Sequence, residues 1–162
     1  MIKFNILIGL CLVGQFLHAQ SLHSLDQDLA FNAVLHKYIT YPQQAVEAKV
    51  YTRSIIYAHF NIDSLGHIQN IAILNPSQPD YGFDKQVKQA LRHLPHLKPS
   101  YVGEYILPVR FVFAYTKGDI KSDTLIPSIL TDEALKNAYP NMILLTERRI
   151  EAYIPMFTGN RR

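Results

Sequence analysis

At 162 residues, with 48% hydrophobic and 18% charged side chains, the chain is long enough for one ordinary domain and too apolar for wholesale disorder. A net charge of +3, spread over scattered rather than striped basic residues, does not describe a nucleic-acid-binding surface. The one cysteine, Cys11, excludes an internal disulfide and a cysteine-rich metal site.

Lys3 is the only charged side chain before Asp26. An almost wholly apolar run follows from Phe4 to Leu17, then His18-Ala19-Gln20. A short basic start, an apolar stretch and a small-residue site predict a secretory signal over residues 1–20, cut near Ala19 or Gln20. The run is shorter than the ~20 residues that span a bilayer comfortably. The alternative is a retained membrane anchor through residues 4–18. Cleavage removes Cys11 and leaves no membrane span.

Residues 21–40 carry helical spacing, with Leu25, Leu29, Ala33 and His36 near one face. Asp26 and Asp28 suit the positive end of that helix dipole. Tyr41-Pro42 breaks the pattern, and a second short helix is expected from Pro42 to Ala48. Ser54 to Ile62 alternates: Ser54, Ile56, Ala58, Phe60 and Ile62 share one face of a half-buried strand. Asp63-Ser64-Leu65-Gly66 is a turn. His67 to Leu74 returns as a second strand, and its slipped apolar phase predicts a bulge. Phe83, Val87, Ala90, Leu91 and Leu94 make a strongly amphipathic helix, stopped by Pro95. Ile106 to Tyr115 is a third strand, and Pro108, lacking an amide proton, belongs at its start or on an edge.

Residues 116–162 form an extension, helical in part. Asp132 to Ala138 is a short helix. Met142 to Ile154 suits either helix or strand, and the spacing of Ile143, Glu147, Ile150 and Ile154 favours helix. The whole is an α+β fold: a small three-stranded antiparallel sheet packed against helices, with Ile56, Phe60, Ile62, Val87, Leu91, Phe111 and Phe113 in its core.

Chemistry is sparse. His93 and His96 have an H-x-x-H count, but Pro95 stops the helix between them, so they do not share a helical face as metal ligands would. His59, His67, Asp63, Asp80, Asp84 and Glu104 fall on strand surfaces, turns and helix starts, where structure accounts for them. No G-x-S-x-G, P-loop or G-x-G-x-x-G occurs. The expectation is no enzyme, no catalytic residue, no metal and no cofactor.

The segment from Tyr41 to Tyr115 resembles the C-terminal domain of the TonB family of periplasmic energy transducers. The pieces come in order. Tyr41-Pro42 with Ala45 is similar to an opening Y-P-x-x-A. Ile56, Ala58, Phe60, Ile62-Asp63 and Gly66-x-Ile68 resemble a strand-turn-strand signature. Phe83-Asp84, Leu91, Leu94 and Lys98-Pro99 resemble the family's helix and exit. Gly103, Val109, Phe111 and Phe113 resemble its closing strand. Two positions depart: Ser54 stands where a glycine is usual, and Leu97 where a tryptophan is.

The resemblance implies a periplasmic binding module, residues 41–115, behind a helix at 21–40. Its partner would be an extended segment of a TonB-dependent outer-membrane receptor, paired with a free sheet edge. The expected partner-binding edge is Val109, Arg110, Phe111, Val112 and Phe113. The alternative is an envelope interaction protein in which 142–157, or a homodimer contact, covers that edge, because an unpaired edge is either used or protected.

Overall fold

The computed structural model describes residues 25–48, 54–76, 80–114 and 131–153. The signal segment at 1–20 lies outside them, as do residues 116–130 and 154–162 of the extension.

Asp28 starts the first helix, α1 (Leu29–Tyr38), by accepting the Phe31 amide on its side chain at 3.0 Å. The helix begins later than the apolar spacing alone suggests, because Leu25 to Gln27 form a turn. Its buried side chains are Phe31 and Leu35. A short helix, α2 (Gln43–Glu47), follows, with Pro42 at its N-cap.

β1 (Ser54–Ile62) shows the expected alternation, with Ile56, Ala58, Phe60 and Ile62 buried. Gly66 closes the turn at φ +83°, and its Cα lies so close to the Leu97 carbonyl that a side chain there would collide with backbone. β2 (Ile68–Ile73) pairs antiparallel with β1. The expected bulge is present: His59 faces Ala72 and Asn61 faces Gln69, so β2 carries one extra residue, and Asn70 takes a left-handed φ of 54°.

α3 (Phe83–Arg92) buries Phe83, Asp84, Val87, Ala90 and Leu91. A 3₁₀ turn at Pro99–Tyr101 leads to β3 (Gly103–Ala114). β3 lies antiparallel to β1 along nine residue pairs, from Ile62↔Gly103 to Ser54↔Phe111. Helix α4 (Asp132–Ala138) is capped by the Thr131 hydroxyl.

The extension then does what its spacing did not favour. Residues 143–153 are not helical: they form β4 (Ile143–Leu144) and β5 (Arg148–Tyr153), both parallel to β3. Burial overrides periodicity here. As strand, Ile150 lies against the main core, and the backbone of β3 gains a partner on its second side. Among the described residues the sheet therefore has five strands rather than three, in the order β2-β1-β3-β4, with β5 continuing on β3.

The two faces of the sheet are both covered. α1 and α3 close one face over Phe31, Phe60, Val87, Leu91, Val109 and Phe111. α4 closes the other, where Leu135 joins Tyr57 and Ile106. Of the expected core, Ile56, Phe60, Ile62, Val87, Leu91 and Phe111 are at most 2% exposed, while the Phe113 side chain lies outside the described residues.

Candidate functional site: the edge of the third strand

The expected docking edge is Val109–Phe113, so its backbone groups must be traced one side at a time. The Tyr57 amide donates to Asn75 Oδ1 at 2.8 Å, and the Tyr57 carbonyl accepts the Leu74 amide at 2.9 Å. Tyr57 thus commits both backbone groups to the β2 side. Its partner Pro108 sits opposite in a non-hydrogen-bonded pair. Backbone groups alternate along a strand, so Leu107, Val109 and Phe111 turn theirs towards β1. Ile106, Arg110 and Val112 turn theirs the other way, and the Ile106 carbonyl accepts the Leu145 amide there at 2.9 Å.

That second side is occupied. β5 pairs along β3 from Val109↔Arg148 to Ala114↔Tyr153. The edge expected to be open is closed by the chain's own C-terminal strand. Pro108 is also not at an edge or strand start: it sits inside the central strand of the sheet. It is tolerated because its missing N–H faces the junction of β4 and β5. Residues 145–147 there stand opposite only Leu107 and Pro108, which makes a bulge.

The bulge is tied down by charge. The Thr146 amide, without a ladder partner, donates to the Asp26 carboxylate at 3.1 Å, and the Thr146 hydroxyl does so at 3.0 Å. Arg110 makes a two-pronged pair with Glu147, Nε to Oε1 and Nη2 to Oε2, each 2.7 Å. The Glu147 hydrogen bonds raise the guanidinium pKa above its ordinary value, although partial burial opposes them. Arg148 donates to Asn32 Oδ1 at 2.6 Å and lies 3.5 Å from Asp26. Asp26, read from sequence as a helix-dipole residue, serves as an anchor for the tail, while Asp28 takes the cap.

Among the described residues, the other polar side chains singled out from sequence make local contacts. His93 Nδ1 lies 2.7 Å from the Gln89 carbonyl, and its ring stacks on Tyr38 at 4.2 Å. His96 instead meets His67 edge-on at 4.2 Å, so the two histidines of the H-x-x-H part company at Pro95. Asp63 accepts the His67 amide, the Leu65 amide and a Gln69 side-chain N–H. The His67 amide foremost holds its carboxyl below the usual range, with burial opposing it. His59 Nε2 lies 3.9 Å from Glu104. Asp80 receives the Gly82 amide at the start of α3. Along α3, Asp84, Lys85, Lys88, Gln89 and Arg92 line an open hollow with Asp80. Among the described residues, no group of three or more metal-ligating side chains comes together.

Sequence reasoning missed Asp26, Thr146, Glu147, Arg149 and Glu151 as parts of the edge. The signal was the alternation of Arg148, Ile150 and Ala152 against Arg149, Glu151 and Tyr153, a period of two that the wider isoleucine spacing concealed. Among the described residues, no helix is long and apolar enough to cross a membrane. Comparisons with family models, with curated proteins and with solved structures give no match.

Proposed function

We propose that this chain is an exported, non-enzymatic interaction protein of the cell envelope. In this reading it shares the architecture suggested by the TonB C-terminal resemblance but covers the corresponding edge with its own tail. The observation that carries the reading is the parallel pairing of β5 with β3 over six residue pairs. Partner contacts then fall on surfaces that the C-terminal strands build, rather than on Val109–Phe113. The competing reading, a receptor segment paired directly with β3, requires β5 to leave first. Departure would break the Arg110–Glu147 pair and uncover Ile150 and its core neighbours.

A lock on β5 separates the two readings. Val112 and Glu151 are direct partners, and a Val112→Cys/Glu151→Cys pair, oxidised, would hold β5 in place. The probes are synthetic peptides copied from the periplasm-facing segments of outer-membrane receptors. Equal binding to the oxidised and reduced forms is expected. Binding confined to the reduced form would return the site to the β3 edge and overturn this reading.

A further inference from the structure

We propose that His67 and His96 form a two-imidazole binding site for a divalent transition-metal ion such as Zn²⁺, with Asp63 holding His67 in position and water completing the coordination.

The backbone brings the two rings together. His67 follows Gly66 at the end of the β1–β2 turn, and His96 precedes Leu97 after α3. The Leu97 amide donates to the Gly66 carbonyl at 2.9 Å. A Cβ at Gly66 would lie 1.9 Å from the Leu97 carbonyl oxygen, so the two segments meet backbone to backbone because position 66 is glycine. The turn is closed on itself by the Gly66 amide on the Asp63 carbonyl and the Asp63 amide on the His67 carbonyl, each at 3.0 Å. Beside this contact the His67 and His96 ring centroids lie 4.2 Å apart, with the planes at 89°. The pair sits at the Ile62 end of β1, away from Val109–Phe113.

Hydrogen bonding decides which nitrogen of His67 is free. Asp63 Oδ2 lies 3.1 Å from His67 Nδ1. The Asp63 carboxyl is held below its usual range, by the His67 amide foremost, and an ionised carboxylate only accepts. His67 Nδ1 therefore carries the proton and donates it, which in a neutral imidazole leaves the Nε2 lone pair for a metal. A carboxylate behind a histidine in this way fixes the ring and raises its basicity as a ligand. Asp63 is not itself a ligand, because the Leu65 and His67 amides and the Gln69 side chain already occupy its oxygens. His96 is exposed, and its side chain has no hydrogen bond or ion pair among the described residues, so it can turn a ring nitrogen towards His67 Nε2.

The donor set selects the ion. Two neutral imidazoles without thiolate suit zinc, copper or nickel, whereas magnesium and calcium take oxygen ligands. His93, the other histidine of the H-x-x-H, is engaged elsewhere, with the Gln89 carbonyl and the Tyr38 ring.

Nuclear magnetic resonance of the full chain, titrated with Zn²⁺, tests this. The imidazole signals of His67 and His96 should shift together, those of His93 should stay, and Mg²⁺ should move none of them. By calorimetry, Asp63→Asn should weaken Zn²⁺ binding about tenfold, as loss of an outer-shell partner does. Asparagine Oδ1 still accepts the turn amides, but its Nδ2 cannot accept from His67. His67→Ala and His96→Ala should each cost about a hundredfold, since each removes a ligand rather than its support. His93→Ala should leave the affinity unchanged. Circular dichroism confirms that the variants are folded, and the wild-type spectra need no variant. Unmoved His67 or His96 signals, or unchanged affinity in either of their alanine variants, would overturn the site. Unchanged affinity in Asp63→Asn would overturn the part given to Asp63.

Discussion

Phe60 shows how much one side chain carries. It is fully buried on β1, stacks on Tyr105 at 5.5 Å and meets Phe31 at 6.4 Å, so it joins α1 to two strands. Truncation leaves a cavity between elements that cannot all collapse together, and Phe60→Ala is expected to cost about 3–5 kcal/mol in a denaturant titration. A loss under about 1 kcal/mol would refute this packing. Asp28 shows the electrostatic counterpart. Burial pushes its carboxyl pKa up, but the Phe31 amide, the Tyr101 hydroxyl and Lys98 outweigh burial and hold it below the ordinary value. A carboxyl with a depressed folded pKa adds stability above its unfolded value, and that contribution disappears as pH falls through the folded value. Asparagine still caps a helix, so Asp28→Asn isolates the charge. The variant should melt earlier at pH 7, by about 1 kcal/mol of stability. The gap should close below about pH 4. A gap independent of pH would show that the charge contributes nothing.

At the scale of the element, β5 behaves as sheet rather than as an attached tail. Its anchors come from three places: Asp26 before α1, Asn32 within it, and Arg110 on β3. The exposed Arg110–Glu147 pair by itself is worth little, but it sits beside a continuous ladder. Residue-resolved hydrogen exchange provides the check. The Ile150 and Ala152 amides, turned towards β3, should be strongly protected. Fast exchange at both would mean that β5 frays from the sheet and leaves the β3 edge open. The misreading of this segment has a local cause. Isoleucines at 143, 150 and 154 fit a helical repeat, while the strand signal rests on Arg148, whose long side chain lies on the core-facing side to reach Asn32 and Asp26.

Across the whole molecule, closure of both faces and of the β3 edge changes what the fold can offer. Three strands backed by helices on one side would expose a sheet face and a rim. The extension removes both: α4 covers the Tyr57 face, with the Tyr57 hydroxyl 3.4 Å from Asp132, and β4 and β5 take the rim. Any partner that pairs with the β3 edge must then displace β5.

The strands β1 and β3, their buried faces, the bulge in β2 and helix α3 were legible in residue order, because each depends on a local rule: a period of two, a slipped phase, or a period of 3.6 ended by proline. Gly66 was equally legible as a turn residue, since positive φ is a property of one position. The state of the β3 edge was not. Whether Val109 to Phe113 met solvent or chain depended on residues almost forty positions later, and their hydrogen bonds are backbone groups that carry no side-chain signature. Pro108 shows the difference most clearly. Its missing amide proton was plain from sequence and argued for an edge. Only the arrangement in space placed it in the central strand, opposite the bulge where no donor is required.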